Sequence, residues 1–316
     1  MLRLKSNSTY RLALIIPVYN EEENVSKIYE STKNVMEEIE NEGISISWVF
    51  ADNASNDKTV VEISKIQSYD KRIHRYTWVR NYGVTSSVLT AMQLSNADVS
   101  IVIDADGQEP TFMIKKLFNE WRNGFDFCYG VRIKRSEKKL ISIARRIFKG
   151  IAKLIGGNGT GKVESGCWLF DKAVVNDLLQ NPPTTEYLAG CISQRGYDSF
   201  GIDYVRGSRR FGSSKFSFKK YFTYAVGGLL GDNLRLLRFS FSIAIINILI
   251  SLLVLTSIFV AIIFFDRSVP LGIFSLGLMI NGLGVSILIG VGILGEYIGR
   301  IFKSTSRIEI AVERFI

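Results

Sequence analysis

Two long stretches near the C-terminal end of this 316-residue chain contain no charged residue. They run from Phe239 to Phe265 and from Ser268 to Gly295, and only Asp266 and Arg267 separate them. Each stretch is longer than the ~20 apolar residues that span the hydrocarbon core of a bilayer. The sequence therefore predicts a transmembrane hairpin, and the residues before it must fold around a core of their own.

The positive charges that flank these stretches predict how the hairpin is oriented. Loops rich in Lys and Arg stay on the cytoplasmic side of a membrane. We therefore expect a multi-pass protein of the inner (cytoplasmic) membrane, with the N-terminal domain and both termini cytoplasmic. The flanking charges are Arg235 and Arg238 before the first stretch and Arg300, Lys303 and Arg307 after the second, against Arg267 alone between them.

The same features divide the chain into four predicted segments. These are a cytoplasmic domain at residues 1–207, a basic amphipathic juxtamembrane segment at 208–238, two transmembrane helices at 239–303 and a cytoplasmic tail at 304–316. Eight Lys or Arg alternate with apolar residues between positions 134 and 153, which is typical of a helix lying on an anionic bilayer. Nucleic acid also attracts basic patches, but the hairpin favours the lipid bilayer and no nucleic-acid partner is expected.

Apolar strands and amphipathic helices alternate through the first domain. This alternation predicts an α/β fold, a Rossmann-like and mostly parallel sheet covered by helices. Predicted strands lie at 12–18, 44–51, 73–79, 99–103, 125–132, 163–170 and 198–205, and predicted helices begin at Val25, follow the turn at 52–57, and cover 85–95 and 111–123.

Two carboxylates follow the apolar strand that begins at Val99. Asp104 and Asp106 stand at its C-terminal end, which is where open α/β sheets bind ligands. Hard carboxylate oxygens suit Mg²⁺ or Mn²⁺. We therefore predict a metal site at Asp106 and Asp104, and a solvated acidic turn is the alternative interpretation of the same residues.

Six short motifs occur in a fixed order along the chain. They are Pro17–Glu22, Asp52 with Ser55 and Asp57, Arg80–Gly83, Asp104–Asp106 with Gln108 and Pro110, Arg209 with Gly212, Ser214 and Lys215, and Gly295–Arg300. Together these motifs resemble family 2 glycosyltransferases of the GT-A fold. The resemblance is strongest to polyprenyl-phosphate glycosyltransferases, such as bactoprenol glucosyltransferases and dolichyl-phosphate mannose synthases.

The resemblance implies a role for individual residues. It makes residues 1–207 the GT-A catalytic domain and makes Mg²⁺ or Mn²⁺ the cofactor. It also implies catalytic residues Asp104, Asp106 and Glu164, an acceptor-phosphate site of Arg132, Arg135, Arg209 and Lys215, and a donor site of Pro17, Tyr19, Asn20, Glu21, Asp52, Ser55, Asp57, Arg80, Asp104 and Gln108.

The implied reaction is inverting transfer of a hexose from a nucleotide-sugar donor to polyprenyl (undecaprenyl) phosphate. Asp52 can accept a hydrogen bond from uracil or guanine, so a UDP-sugar such as UDP-glucose and a GDP-sugar such as GDP-mannose both stay open. Cys167 stands where many relatives have Asp, and we expect no obligatory general base, with Glu164 orienting a substrate. A non-catalytic membrane scaffold on the same fold is the alternative function, and a homo-oligomer is left open.

Overall fold

The computed structural model describes residues 10–133, 166–181, 192, 195–207, 235–265 and 271–305. The chain divides into two compact units. One contains the sheet and its helices, and the other contains the two apolar C-terminal helices. The predicted basic helix at 134–153, the segment at 208–234, Glu164, Arg135, Arg209 and Lys215 lie outside the described residues, and those predictions stay predictions.

A seven-stranded sheet forms the centre of the first unit. Its strands are β1 (Arg11–Val18), β2 (Ser45–Asp52), β3 (Ile73–Thr77), β4 (Val99–Ile103), β5 (Phe127–Arg132), β6 (Cys167–Asp171) and β7 (Ser199–Tyr204). Their spatial order is β3-β2-β1-β4-β6-β5-β7. Within the described sheet, β6 runs antiparallel to both of its neighbours, β4 and β5, and the other pairs are parallel.

Helices cover both faces of this sheet. They are α1 (Val25–Glu40), α2 (Thr59–Tyr69), α3 (Val84–Ser95), α4 (Phe112–Arg122) and α5 (Lys172–Gln180). Buried side chains of α1, α2 and α4 form one core layer with the sheet, and those of α3 and α5 form the other. Along β4, Ile101 belongs to the first layer and Val102 to the second, because successive strand residues point to opposite faces. Strands buried in this way read as continuous apolar runs.

The predicted fold class is confirmed, with two differences in detail. The direction of β6 could not be predicted, because a short apolar run reads the same in either direction. The helix α5 was missed, although Asp171 provides its N-cap by accepting a hydrogen bond from the backbone N–H of Ala173 at 2.8 Å. An Asp immediately before an apolar-periodic segment is a recognised helix-start signal.

The second unit consists of two long apolar helices in its described part. They are α6 (Arg235–Phe265) and α7 (Leu271–Thr305). The side-chain amide of Asn247 donates to the hydroxyl of Ser286 at 3.0 Å, which joins the two helices by a polar contact. Among the described residues, one helical stretch, Ser275–Gly299, is long and apolar enough to cross a membrane, with a mean hydropathy of 2.1. The two-span hairpin stays a prediction.

Candidate functional site

The candidate site lies at the C-terminal edge of the parallel part of the sheet. Val18 at the end of β1 pairs with Asp52 at the end of β2, and β4 pairs with β1 on its other side. The loops that follow β1, β2 and β4 therefore leave the sheet at one edge. This is the edge at which open α/β sheets bind their ligands.

Three carboxylates meet directly after β4. Ligand oxygens of Asp104, Asp106 and Glu109 all lie within 4.8 Å of one another. Gly107 adopts a φ of +65°, which a side-chain-bearing residue rarely adopts, and this allows the tight turn between them. The backbone N–H of Gln108 donates to Asp106 Oδ1 at 3.1 Å and fixes that carboxylate. The turn thus brings the two predicted acids together with a third.

Glu109 is the member of this cluster that sequence reasoning missed. Its side chain is fully buried, whereas most Glu side chains are solvated unless they are paired. Its Oε1 accepts hydrogen bonds from Arg206 Nε at 2.9 Å, Arg132 Nη2 at 3.2 Å and the Tyr204 hydroxyl at 3.3 Å. The sequence did contain a signal for it, because Glu109 is an acid that stands between Gln108 and Pro110, close to the Asp-x-Asp motif.

Arg206 is the second residue of the site that was not singled out from the sequence. It follows β7, and its Nη2 lies 3.8 Å from Asp104 Oδ2 and 3.7 Å from Asp106 Oδ2. One guanidinium therefore faces all three carboxylates. Arg132, a predicted acceptor-phosphate residue, donates to the same Glu109 oxygen as Arg206 and to the Tyr204 hydroxyl.

The surroundings of the cluster shift the pKa of Asp104. Desolvation, followed by the negative charges of Glu109 and Asp106, raises the pKa of Asp104 to about 7, against the opposing effect of Arg206 and Arg132. The side chain is still 39% exposed, so solvent can reach it from one side. A carboxyl group with such a pKa exchanges its proton near neutrality and gains from any added positive charge.

The three carboxylates fit a hard divalent cation. Glu109 Oε2 is buried without a hydrogen-bond partner, so one oxygen of the cluster still lacks a donor or cation of its own. The absence of a side chain at Gly166 keeps the space beside the cluster open. A Cβ at this position would clash with two carboxylates, at 2.3 Å from Asp104 Oδ2 and 2.9 Å from Glu109 Oε1. All-oxygen donor sets of this kind are the ones that Mg²⁺ and Mn²⁺ prefer.

Asp52 forms a second polar site at the end of β2. It is fully buried, and its Oδ1 accepts from the Ser55 hydroxyl at 2.5 Å and the Ser55 backbone N–H at 3.2 Å. Its Oδ2 is buried with no hydrogen-bond partner. Burial raises the pKa of Asp52, and the hydrogen bonds from Ser55 partly offset that rise. A buried acceptor of this kind is costly unless a ligand supplies a donor.

The loops after β1 and β2 are joined by hydrogen bonds between predicted donor-site residues. The backbone N–H of Asn20, which has a φ of +54°, donates to Ser55 Oγ at 2.9 Å. The backbone N–H of Glu21 donates to Thr59 Oγ1 at 2.8 Å. Asp57 accepts from Thr59 and from the backbone of residue 22. In this structure Asp57 therefore holds the two loops together.

The remaining predicted donor residues lie around the same edge. Pro17 is the penultimate residue of β1, and Tyr19 just beyond the strand is 37% exposed. The guanidinium of Arg80 stacks on the Tyr82 ring at 4.7 Å. Gln108 donates through its side chain to the carbonyl of Gly207 at 3.4 Å. The structure thus places the described donor residues along the ends of β1 to β4.

A cleft of about 480 Å³ opens beside the carboxylate cluster. The start of α1 forms one wall, and the loop between β4 and α4 forms the other. Its lining includes Asn24, Lys27, Ser31, Asp106, Gln108 and Phe112. Asp106 and Gln108 therefore border an open cleft that both polar and apolar residues line.

The comparison with known proteins now identifies the family. The model described as glycosyl transferase family 2 matches residues 13–179. The chain belongs to this family. The bactoprenol glucosyl transferase of Shigella phage SfX is 30% identical to it over 298 residues, which cover 93% of this chain and 96% of the relative. The prophage bactoprenol glucosyl transferase homolog of Escherichia coli K12 is 27% identical over 300 residues, with 94% and 96% covered.

A solved structure supports the fold of this family 2 glycosyltransferase. The mannosyl-3-phosphoglycerate synthase from Rubrobacter xylanophilus superposes with a TM-score of 0.51 at 15% identity. The match covers 72% of this chain and 74% of that one. At such low identity the likeness concerns the fold alone, and it agrees with the predicted GT-A class.

Proposed function

We propose that this protein is an inverting glycosyltransferase that moves a hexose from a nucleotide-sugar to polyprenyl (undecaprenyl) phosphate. The reaction takes place at the cytoplasmic face of the inner membrane, with α6 and α7 as a two-span anchor. The observation that carries the proposal is the cluster of Asp104, Asp106 and Glu109 at the sheet edge of a family 2 chain.

The donor site follows from the two polar positions at that edge. A divalent cation, Mg²⁺ or Mn²⁺, held by Asp106 and Asp104 would neutralise the pyrophosphate as the bond to the sugar breaks. The free Oδ2 of Asp52 suits a base N–H. Uracil and guanine both offer such a donor, and the glucosyl transferase relatives favour UDP-glucose over GDP-mannose.

The acceptor is inferred from the relatives and from the apolar helix. Bactoprenol glucosyl transferases match this chain over nearly its whole length, and Ser275–Gly299 is apolar enough to enter a bilayer. A lipid phosphate carries about −1.5 to −2 charges at neutral pH. Arg132 lies beside the carboxylate cluster, and with Arg135, Arg209 and Lys215 it forms the proposed phosphate site, because Arg suits bidentate phosphate contacts.

Transfer to lipid phosphate is tested directly with membranes that contain the protein. Labelled UDP-glucose and undecaprenyl phosphate should yield a glucosyl lipid of the expected mass, with inverted anomeric configuration by NMR. GDP-mannose serves as the competing donor, and dolichyl phosphate as a competing acceptor. Absence of any glycosyl lipid with each donor, in membranes where the protein is folded, would contradict the proposal.

The scaffold alternative predicts a different result. A scaffold built on this fold has no need of a nucleotide, so UDP should not bind more tightly when Mn²⁺ is present. The proposed enzyme binds UDP through Asp52 and the carboxylate cluster together. Metal-dependent UDP binding, measured by calorimetry on the full chain, would therefore exclude the scaffold.

A further inference from the structure

Arg206 and Arg72 each face three carboxylates, and both side chains are 27% exposed. Arg72 contacts Glu40 at 2.6 Å, Asp70 at 2.8 Å and Glu37 at 3.2 Å, all within hydrogen-bond distance. Such a network is structural, because each carboxylate is held by a short charged hydrogen bond. Arg206 differs in how it meets its partners.

Arg206 forms one short contact and two long ones. Its Nε donates to Glu109 at 2.9 Å, while its Nη2 stands nearly equidistant from Asp104 and Asp106, at 3.8 and 3.7 Å. Separations above 3.5 Å are beyond a hydrogen bond. The guanidinium is therefore anchored on Glu109 and only electrostatically attracted to the two aspartates.

The charges of the cluster explain why a positively charged side chain lies beside Asp104 and Asp106. Asp104, Asp106 and Glu109 carry three negative charges when ionised, and Arg132 and Arg206 supply two positive charges. Arg132 donates from Nε to the Tyr204 hydroxyl and from Nη2 to Glu109. Nη2 of Arg206 thus provides the positive charge that lies between the Asp104 and Asp106 carboxylates.

We infer that Arg206 is the resident counter-ion of the proposed metal site, and that its Nη2 edge leaves Asp104 and Asp106 when a divalent cation binds. A metal at 2.0–2.6 Å from these oxygens would be close enough to repel the guanidinium. The Nε–Glu109 bond lets the side chain pivot instead of leaving the site. This inference rests on the proposed function, since it needs the carboxylates to bind a metal.

Competition of this kind predicts tighter metal binding when the charge is removed. Arg206→Gln should bind Mn²⁺ at least about tenfold more tightly than the unaltered protein, because neighbouring like charges interact strongly in a protein environment. Arg206→Lys keeps the charge and should stay close to the unaltered affinity. Arg132→Gln is the matched control, because Arg132 donates to the same Glu109 oxygen, and its effect should be clearly smaller. Free Mn²⁺ is measured by electron paramagnetic resonance on the purified full chain without nucleotide.

A second measurement uses the unaltered protein and does not depend on a variant that folds. Phenylglyoxal labels accessible guanidinium groups, and peptide mass spectrometry reports the site. Mn²⁺ should increase labelling of Arg206 and leave labelling of Arg72 unchanged, because Arg72 has equal exposure but lies in its own network.

Several results would overturn the inference. Unchanged or weaker Mn²⁺ binding by Arg206→Gln would mean that Arg206 positions the carboxylates instead of competing for them. An equal effect of Arg132→Gln on Mn²⁺ affinity would mean that Arg206 acts only through the overall positive charge near the site. Labelling of Arg206 that does not change with Mn²⁺ would contradict its displacement by the metal. If the unaltered protein binds Mn²⁺ and transfers sugar, these results count against the role of Arg206 alone. If the unaltered protein does not bind Mn²⁺ or does not transfer sugar, the proposed function itself fails.

Discussion

The two acidic positions at the sheet edge differ in how their charge is compensated. The Asp104–Asp106–Glu109 cluster is faced by Arg132 and Arg206. Asp52 is equally part of a strand end, but Ser55 donates the hydrogen bonds to its Oδ1, and Oδ2 has no partner. Arg75 acts on Asp52 through its charge, without an ion-pair contact. The chemistry of the first position fits a cation, whereas that of the second fits a neutral hydrogen-bond donor.

Under the proposed function, this difference separates two tasks that act on one nucleotide-sugar. The cluster would neutralise the charge of the pyrophosphate, and Asp52 would bind the base. Substitutions in the cluster should therefore change metal affinity most, and substitutions of Asp52 should change nucleotide affinity most. If substitutions at both positions changed the two affinities equally, the two positions would not have separate tasks.

The largest effect is expected for Asp106→Asn. The substitution keeps the shape of the side chain but removes the negative charge that the 3.1 Å hydrogen bond from Gln108 holds in place. Transfer should fall on the order of 10²–10³-fold, the usual loss of an electrostatic catalytic contact. Initial rates at saturating donor measure it. The exposed Asp203 on β7 provides the control, since Asp203→Asn should retain normal rates.

Gly166→Ala should come next. Its Cβ would collide with Asp104 Oδ2 and Glu109 Oε1, so at least one carboxylate must move. Overpacking of this kind costs about 1–3 kcal/mol, and we expect Mn²⁺ affinity to fall by roughly the same free energy. Gly277→Ala in α7 is the comparison, because a Cβ there meets nothing within 4 Å. Normal Mn²⁺ affinity in Gly166→Ala would show that the cluster tolerates displacement.

Asp52→Asn should act on nucleotide binding and spare the metal. Loss of a charged hydrogen-bond acceptor costs about 1.5–3 kcal/mol, which corresponds to roughly 10–100-fold weaker UDP binding. Calorimetry with UDP and with Mn²⁺ alone gives the two numbers. A drop in Mn²⁺ affinity of similar size would mean that Asp52 and the cluster form one site, and it would contradict the division into two tasks.

The pH dependence of metal binding gives a smaller, graded test. Because the pKa of Asp104 is raised to about 7, the carboxyl is mostly protonated at pH 6 and mostly ionised at pH 8. Metal ligation needs the ionised form, so Mn²⁺ affinity should rise by up to about tenfold per pH unit below 7 and level off above it. A flat profile between pH 6 and 8 would contradict this pKa for Asp104.

The sequence predicted the sheet and two of the three cluster acids because those signals are local. Strand β4 is a run of apolar residues, and Asp104 and Asp106 stand directly at its end. Glu109 and Arg206 could not be assigned in this way, since they are 97 residues apart and meet only because β7 joins the sheet. Their contact depends on strand order, which apolar periodicity does not encode.

Replacement of Glu164 should have the smallest effect of the series. A sugar hydroxyl would need a base to remove its proton, but a lipid phosphate has its second pKa near ~6 and is already an anion at neutral pH. The Cys167 thiol cannot serve as a base, because burial raises its pKa well above the usual range. We therefore expect Glu164→Gln to retain activity within about tenfold, with a rate that rises until the lipid phosphate is fully ionised. A loss of several orders of magnitude with normal UDP binding would establish a required base and favour a hydroxyl acceptor.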